Sequence, residues 1–175
     1  MEPHIISKKA IAFLRNLVFG VEDSLVSTVG LLSGIAVAGT SRDTIFLTGV
    51  VLIFVEAFSM GVGSFISEHA VESYASKESK SNADHSHTKL GGIVMFFSYF
   101  VAGFIPLFPY MVTEVKRAFP FSILISLLAL FGLGILTGKL FRLNIWSRGW
   151  QMLILGGIAI ALGIIVGKGV EVFLG

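Results

Sequence analysis

No cysteine occurs among the 175 residues. That excludes disulfide scaffolds, thiolate metal sites and cysteine nucleophiles, and it leaves the compartment open. Charge is scarce too: Asp, Glu, Lys and Arg make up 14% of the chain, against roughly a quarter in soluble domains. A net charge of +2 is too small to suggest nucleic-acid binding. What fills the chain instead is apolar, 54% hydrophobic with 16 Phe, gathered in long runs. This composition reads as a polytopic membrane protein with no soluble domain of useful size. Met1 to Arg15 lacks a compact apolar core followed by a small-residue cleavage site. No removable signal peptide is therefore expected.

A window of about 19 residues gives five spans, roughly 16–39, 45–67, 91–112, 119–138 and 149–170. Each is close to the ~20 residues that cross the hydrocarbon core as a helix. The expected fold is an all-α membrane protein, one transmembrane domain over 1–175 with five helices and a longest connection at 68–90. Nine basic residues fall on one side: Lys8, Lys9, Arg15, Lys77, Lys80, Lys89, Lys139, Arg142 and Arg148. Four fall on the other: Arg42, Lys116, Arg117 and Lys168. The positive-inside bias then puts the N-terminus in the cytosol and Gly175 on the far side, with Trp146 and Trp150 as interfacial anchors of the fifth span. Pro120 suits the first turn of the fourth helix. Pro106 and Pro109 predict a break or kink near the outer end of the third, or a helix that ends at Ile105. The pairs Gly30/Gly34, Gly134/Gly138 and Gly163/Gly167 have the spacing that lets helix backbones approach closely, within the chain or in a dimer. No internal repeat is evident.

The informative residues are the acids inside the spans. Glu22 and Asp23 lie in the first, and Glu56 lies near the middle of the second. Each such charge costs around 2.5–3.5 kcal/mol at a helix centre, so three amount to roughly 7–10 kcal/mol before compensation. Acids kept at that cost point to an ion or proton pathway. At 1.5 Å per residue, Asp23 is roughly 9 Å in from the cytosolic end of its span, and Met60 roughly 10 Å from the same surface. Glu56 sits one turn deeper than Met60 on the same face. Small and polar residues run alongside: Gly20, Ser24, Ser27, Gly30 and Gly34 on the first helix, Ser59, Gly63 and Ser67 on the second. Facing each other, these stripes would make a narrow polar path.

That donor set has a chemical meaning. Carboxylates alone suit hard cations such as Mg²⁺ or Ca²⁺, and a thioether tilts the site toward a transition metal such as Fe²⁺. Carboxylates near a low-dielectric interior also exchange a metal ion for protons. Glu22, about 100° round the helix from Asp23, faces either the interface or an Arg, and is a further candidate of the metal site, lining its entrance. Asp23 has structural alternatives in Arg15 and Ser59.

The segments that carry these residues are familiar as a set. FGVEDSLVSTVGLLSGIA (Phe19 to Ala36) resembles the first-span motif of the vacuolar iron transporter family, and EAFSMGVGSFIS (Glu56 to Ser67) its second-span motif around Ser-Met-Gly. GFIPLFPY (Gly103 to Tyr110) and LGGIAIALGIIVG (Leu155 to Gly167) are similar to its third and fifth spans. The resemblance covers nearly the whole chain, in order. It implies a homodimer with the metal path along the subunit interface, and proton-coupled export of Fe²⁺, often with Mn²⁺, from the cytosol. On that match Asp23 and Met60 are the metal-binding residues. Fe²⁺ or Mn²⁺ is then the transported substrate and H⁺ the coupling ion, with no permanently bound cofactor. The expected partners are the metal ion, the lipid bilayer and a second copy of the chain.

The departures carry information as well. The family's usual Asp-Gly is Asp23-Ser24 here, and the acid many members place eight residues before the methionine is Leu52. Glu56 stands in from the next turn, on our own reading of the residues. Ser64 replaces a glutamate common after the second motif's Gly. The long Glu-rich domain that plant and parasite members insert between spans two and three is reduced to Glu68–Leu90. That segment holds Glu68, His69, Glu72, Glu78, Asp84, His85 and His87. Glu68 and Glu72 share a helix face and are candidates for the cytosolic entrance. Two imidazoles in a loop are not a site, so weak metal loading or none is expected there. A membrane scaffold with structural acids, a carrier of another divalent metal and a membrane enzyme remain as alternatives. No nucleophile–base pair or phosphate loop in the spans favours the last. The short form favours a prokaryotic cell membrane over a vacuolar one.

Overall fold

A computed structural model describes residues 8–79 and 86–174. Asp84, His85 and Lys80, and the side chains of Lys8, Lys9, Glu78 and His87, lie outside the described residues. Five helices follow in order: α1 (Lys8–Val37), α2 (Arg42–Ser79), α3 (Ser86–Val112), α4 (Val115–Leu140) and α5 (Ile145–Leu174). All five are long and apolar enough to cross a membrane. Their number and order are as expected, and each begins before its expected span, although α1 stops at Val37, short of 39. The expected connection at 68–90 is largely helical, because α2 continues to Ser79 and α3 begins at Ser86.

Helices α1 and α3 form the middle of the bundle. Helix α3 packs along both α1 and α2, while α5 packs on α1 and α4. The core runs through Leu25, Val29 and Leu32 on α1 and through Tyr99, Ala102 and Leu107 on α3. Buried hydroxyls cross-link the helices, each finding the acceptor a membrane interior does not supply. Ser24 donates to the Tyr99 carbonyl at 2.6 Å, and Ser122 donates to the Pro106 carbonyl at 2.6 Å.

The small-residue pairs work within the chain. A Cβ on Gly34 would lie 2.7 Å from the Gly163 carbonyl oxygen, and one on Gly167 would run into the Gly34 carbonyl. Helices α1 and α5 therefore meet backbone to backbone. Gly134 and Gly138 meet the first turn and a half of α5 in the same way.

Two expectations about proline need correction. Helix α3 runs through Pro106 and Pro109 to Val112 rather than ending at Ile105. Helix α4 starts at Val115, so Pro120 is in its second turn. The Glu114 carbonyl takes the Ala118 N–H at 2.8 Å and starts the helix early. Pro120 then leaves only the Lys116 carbonyl without its i+4 donor, near the helix end. Between α1 and α2 the chain turns at Gly39, whose φ of 73° is left-handed. Ser41 then caps α2, its hydroxyl accepting the Thr44 N–H at 3.3 Å.

Candidate functional site

A groove of about 640 Å³ opens where α1 begins and α2 ends. Arg15, Asn16 and Phe19 of α1 form one wall, and Ser59, Met60, Gly63, Ser64, Ser67 and Glu68 of α2 the other, with Met95 of α3 at the back. The α2 stripe named from sequence does line this path. The α1 stripe does not face it, which corrects the expectation of two opposed stripes. Gly20 and Ser24 lie against α3, and Gly30 and Gly34 against α5. The physical reason is packing: small residues let α3 and α5 come close, and Ser24 spends its hydroxyl on α3.

The register of α1 against α2 follows from one contact. Asn16 Nδ2 donates to Glu68 Oε1 at 2.8 Å. Asp23 lies seven residues farther along α1 and Met60 eight residues back along α2, which is ~10 and ~12 Å of rise. The two share a level, and Glu56 lies one turn deeper. Asp23 and Glu56 are within electrostatic reach of each other. Both are partly buried, and neither has a hydrogen bond or ion pair among the described residues. Arg15, an alternative partner for Asp23, is instead 2.7 Å from Glu68.

Glu22 is not among the residues that line the groove. It lines an adjoining hollow with Val18 and Phe141 that shares Arg15 and Phe19 with the groove, and it is within electrostatic reach of Asp23 and of Arg148. Glu72 is one turn beyond Glu68 on α2 and partly buried. Among the described residues no three His, Asp or Glu side chains gather closely enough to hold a metal. Of Asp23, Glu56 and Met60, only Met60 lines the groove itself, with Asp23 at its level on α1 and Glu56 one turn deeper on α2.

Sequence reading missed two residues here. The Tyr99 hydroxyl shares a 2.7 Å hydrogen bond with Ser27 and is within electrostatic reach of both Asp23 and Glu56. A tyrosine inside an apolar span was itself the signal, since a buried hydroxyl needs a partner. Met95 adds a second thioether to the groove wall. It stands one turn before Tyr99 on the same face of α3.

This arrangement can be set beside known families. A family model described as the VIT family matches residues 14–90 and 82–168, nearly the full chain. The chain belongs to the VIT family. Among curated proteins, none matches it. As a VIT member with five apolar helices, it is an integral multi-pass membrane protein of a metal-ion transporter family. The family resemblance noted in the sequence is thereby confirmed over both halves of the chain.

Proposed function

We propose that this VIT protein exports Fe²⁺, and Mn²⁺ with it, from the cytosol in exchange for protons. The observation that carries the reading is the unengaged pair Asp23 and Glu56, within electrostatic reach of each other and at or one turn below the level of Met60. Two carboxylates within electrostatic reach of each other in a partly buried site repel, and either a divalent cation or a proton relieves the repulsion. Cation and proton therefore compete for one place, and that competition is the basis of an exchanger. Met60 supplies the soft donor that favours Fe²⁺ over Mg²⁺ or Ca²⁺.

Two further features support the reading. Arg15, Lys77, Lys139 and Arg148 lie toward helix ends at the groove's side of the bundle, which by the positive-inside bias supports reading that side as cytosolic. The metal thus meets the groove from the cytosol. Phe54 and Phe58 on α2 are 52% and 65% exposed next to Glu56. A second copy covering this face would bring a second set of donors to a site that one chain leaves incomplete. The short connection after α2 fits a prokaryotic cell membrane.

The test is uptake into proteoliposomes of the purified protein, with Fe²⁺ kept reduced. Fe²⁺ and Mn²⁺ should enter when a pH gradient is imposed, and Mg²⁺ and Ca²⁺ should not. Equal rates with and without the gradient would remove the proton coupling. Absence of uptake for every divalent metal by folded protein would remove the transport reading. Met60→Ala is expected to lower Fe²⁺ uptake several-fold and to affect Mn²⁺ less, because the harder ion relies less on sulfur. Initial rates for the two ions, taken in parallel, check this.

A further inference from the structure

The mouth of the groove holds a contact that transport alone does not call for. Arg15 and Asn16 both donate to Glu68 Oε1, at 2.7 and 2.8 Å. The three side chains differ sharply in exposure. Asn16 is 2% exposed, Glu68 17% and Arg15 64%. The amide is therefore a fixed partner, whereas the guanidinium can leave for water at little cost.

Helix α3 keeps the carboxylate in place. A Cβ on Gly91 would run into Glu68 Oε2 and would lie 2.7 Å from Asn16 Nδ2. Glu68 thus has no room to retreat toward α3, and Arg15 is the member of the pair that can move. One turn inward, the Ser64 hydroxyl is buried without a hydrogen-bond partner and lines the same groove. Glu68, Ser64 and Met60 succeed one another at i,i+4 steps on one face of α2. An unmet oxygen between a carboxylate and a thioether is a place for a cation.

We propose that Glu68 and Ser64 form a receiving site for a divalent cation and that Arg15 is its built-in competitor. The guanidinium occupies Glu68 while the groove is empty and swings into water as the metal arrives. Na⁺ or K⁺ offers Glu68 no more charge than Arg15 already does, whereas a divalent ion offers twice as much. The pair thereby rejects monovalent ions and keeps divalent binding weak enough for the ion to move inward. Only that onward passage rests on the transport reading above.

The test is Co²⁺ binding to the full-length protein in lipid nanodiscs, measured by equilibrium dialysis. Arg15→Gln should tighten Co²⁺ binding by about fivefold, and Arg15→Lys, which keeps a competing charge, should stay within about twofold of wild type. Glu68→Gln should weaken binding and abolish the gain, so that Arg15→Gln/Glu68→Gln binds like Glu68→Gln alone. Unchanged or weaker binding by Arg15→Gln, or a gain that survives loss of Glu68, overturns the proposal. If Glu68→Gln does not fold, the contrast between Arg15→Gln and Arg15→Lys decides. Flux measured on the same preparations separates the two ideas. Tighter binding without flux in any variant keeps the competitor and removes transport, and wild-type flux with unaltered Arg15→Gln binding does the reverse.

Discussion

Asp23→Asn should cut Fe²⁺ flux by about 10–100-fold, the loss that follows even when an outer-shell partner of a metal ligand is removed. The substitution keeps the shape of the side chain and takes away its charge. No hydrogen bond or ion pair of Asp23 is broken among the described residues. Its removal also relieves the repulsion from Glu56. Thermal unfolding should therefore stay at or above the wild-type temperature while flux collapses. Glu56→Gln should act in the same direction. The double variant should lose less than the two single losses combined, because the groups act on one ion. A structural role for the acids predicts the opposite pattern, with stability lost and the flux of surviving protein preserved. Initial uptake rates and thermal unfolding of the same preparations distinguish the two.

Gly163→Leu should be the most damaging substitution away from the groove. A Cβ at this position runs into the Gly30 carbonyl, so even alanine does not fit without separating α1 from α5. Overpacking of this kind costs ~1–3 kcal/mol, and here the obstacle is backbone, which cannot change rotamer. Separation would also shift α1, which carries Asp23. Gly132→Ala is the control, since nothing lies within 4 Å of a Cβ there. Thermal unfolding in detergent should fall clearly for Gly163→Leu and stay unchanged for Gly132→Ala. Equal unfolding temperatures would mean that α1 and α5 do not pack as described.

Much of the fold was readable because a membrane imposes few choices. Long apolar runs must be helices in lipid, and their number and order follow directly. The level shared by Asp23 and Met60 was readable too, because helical rise is fixed and α2 runs back along α1. Neighbour choice was not. Small residues at i,i+4 mark a face that packs closely, but they do not say against which helix. Gly20, Ser24, Gly30 and Gly34 accordingly face α3 and α5 rather than α2. Span boundaries misled for a related reason. Hydropathy ends where polar residues begin, and polar residues such as Glu68 and Glu72 continue the helix beyond the apolar run. The tie from Arg15 to Glu68 joins residues far apart in sequence, and only the bundle brings them together. Glu22 shows the limit most simply. One residue from Asp23, it is also within electrostatic reach of Arg148 on α5, a neighbour that only the bundle supplies.

The central claim is that one carboxylate pair hands a metal ion across in exchange for protons. It is tested most directly by recording Fe²⁺ uptake and internal pH together, in vesicles holding wild type or Asp23→Asn. Fe²⁺ entering wild-type vesicles should be matched by protons leaving them, and both movements should disappear in Asp23→Asn while its fold stays intact. Fe²⁺ entering with no change of internal pH, or equal movements in the two proteins, would contradict the account.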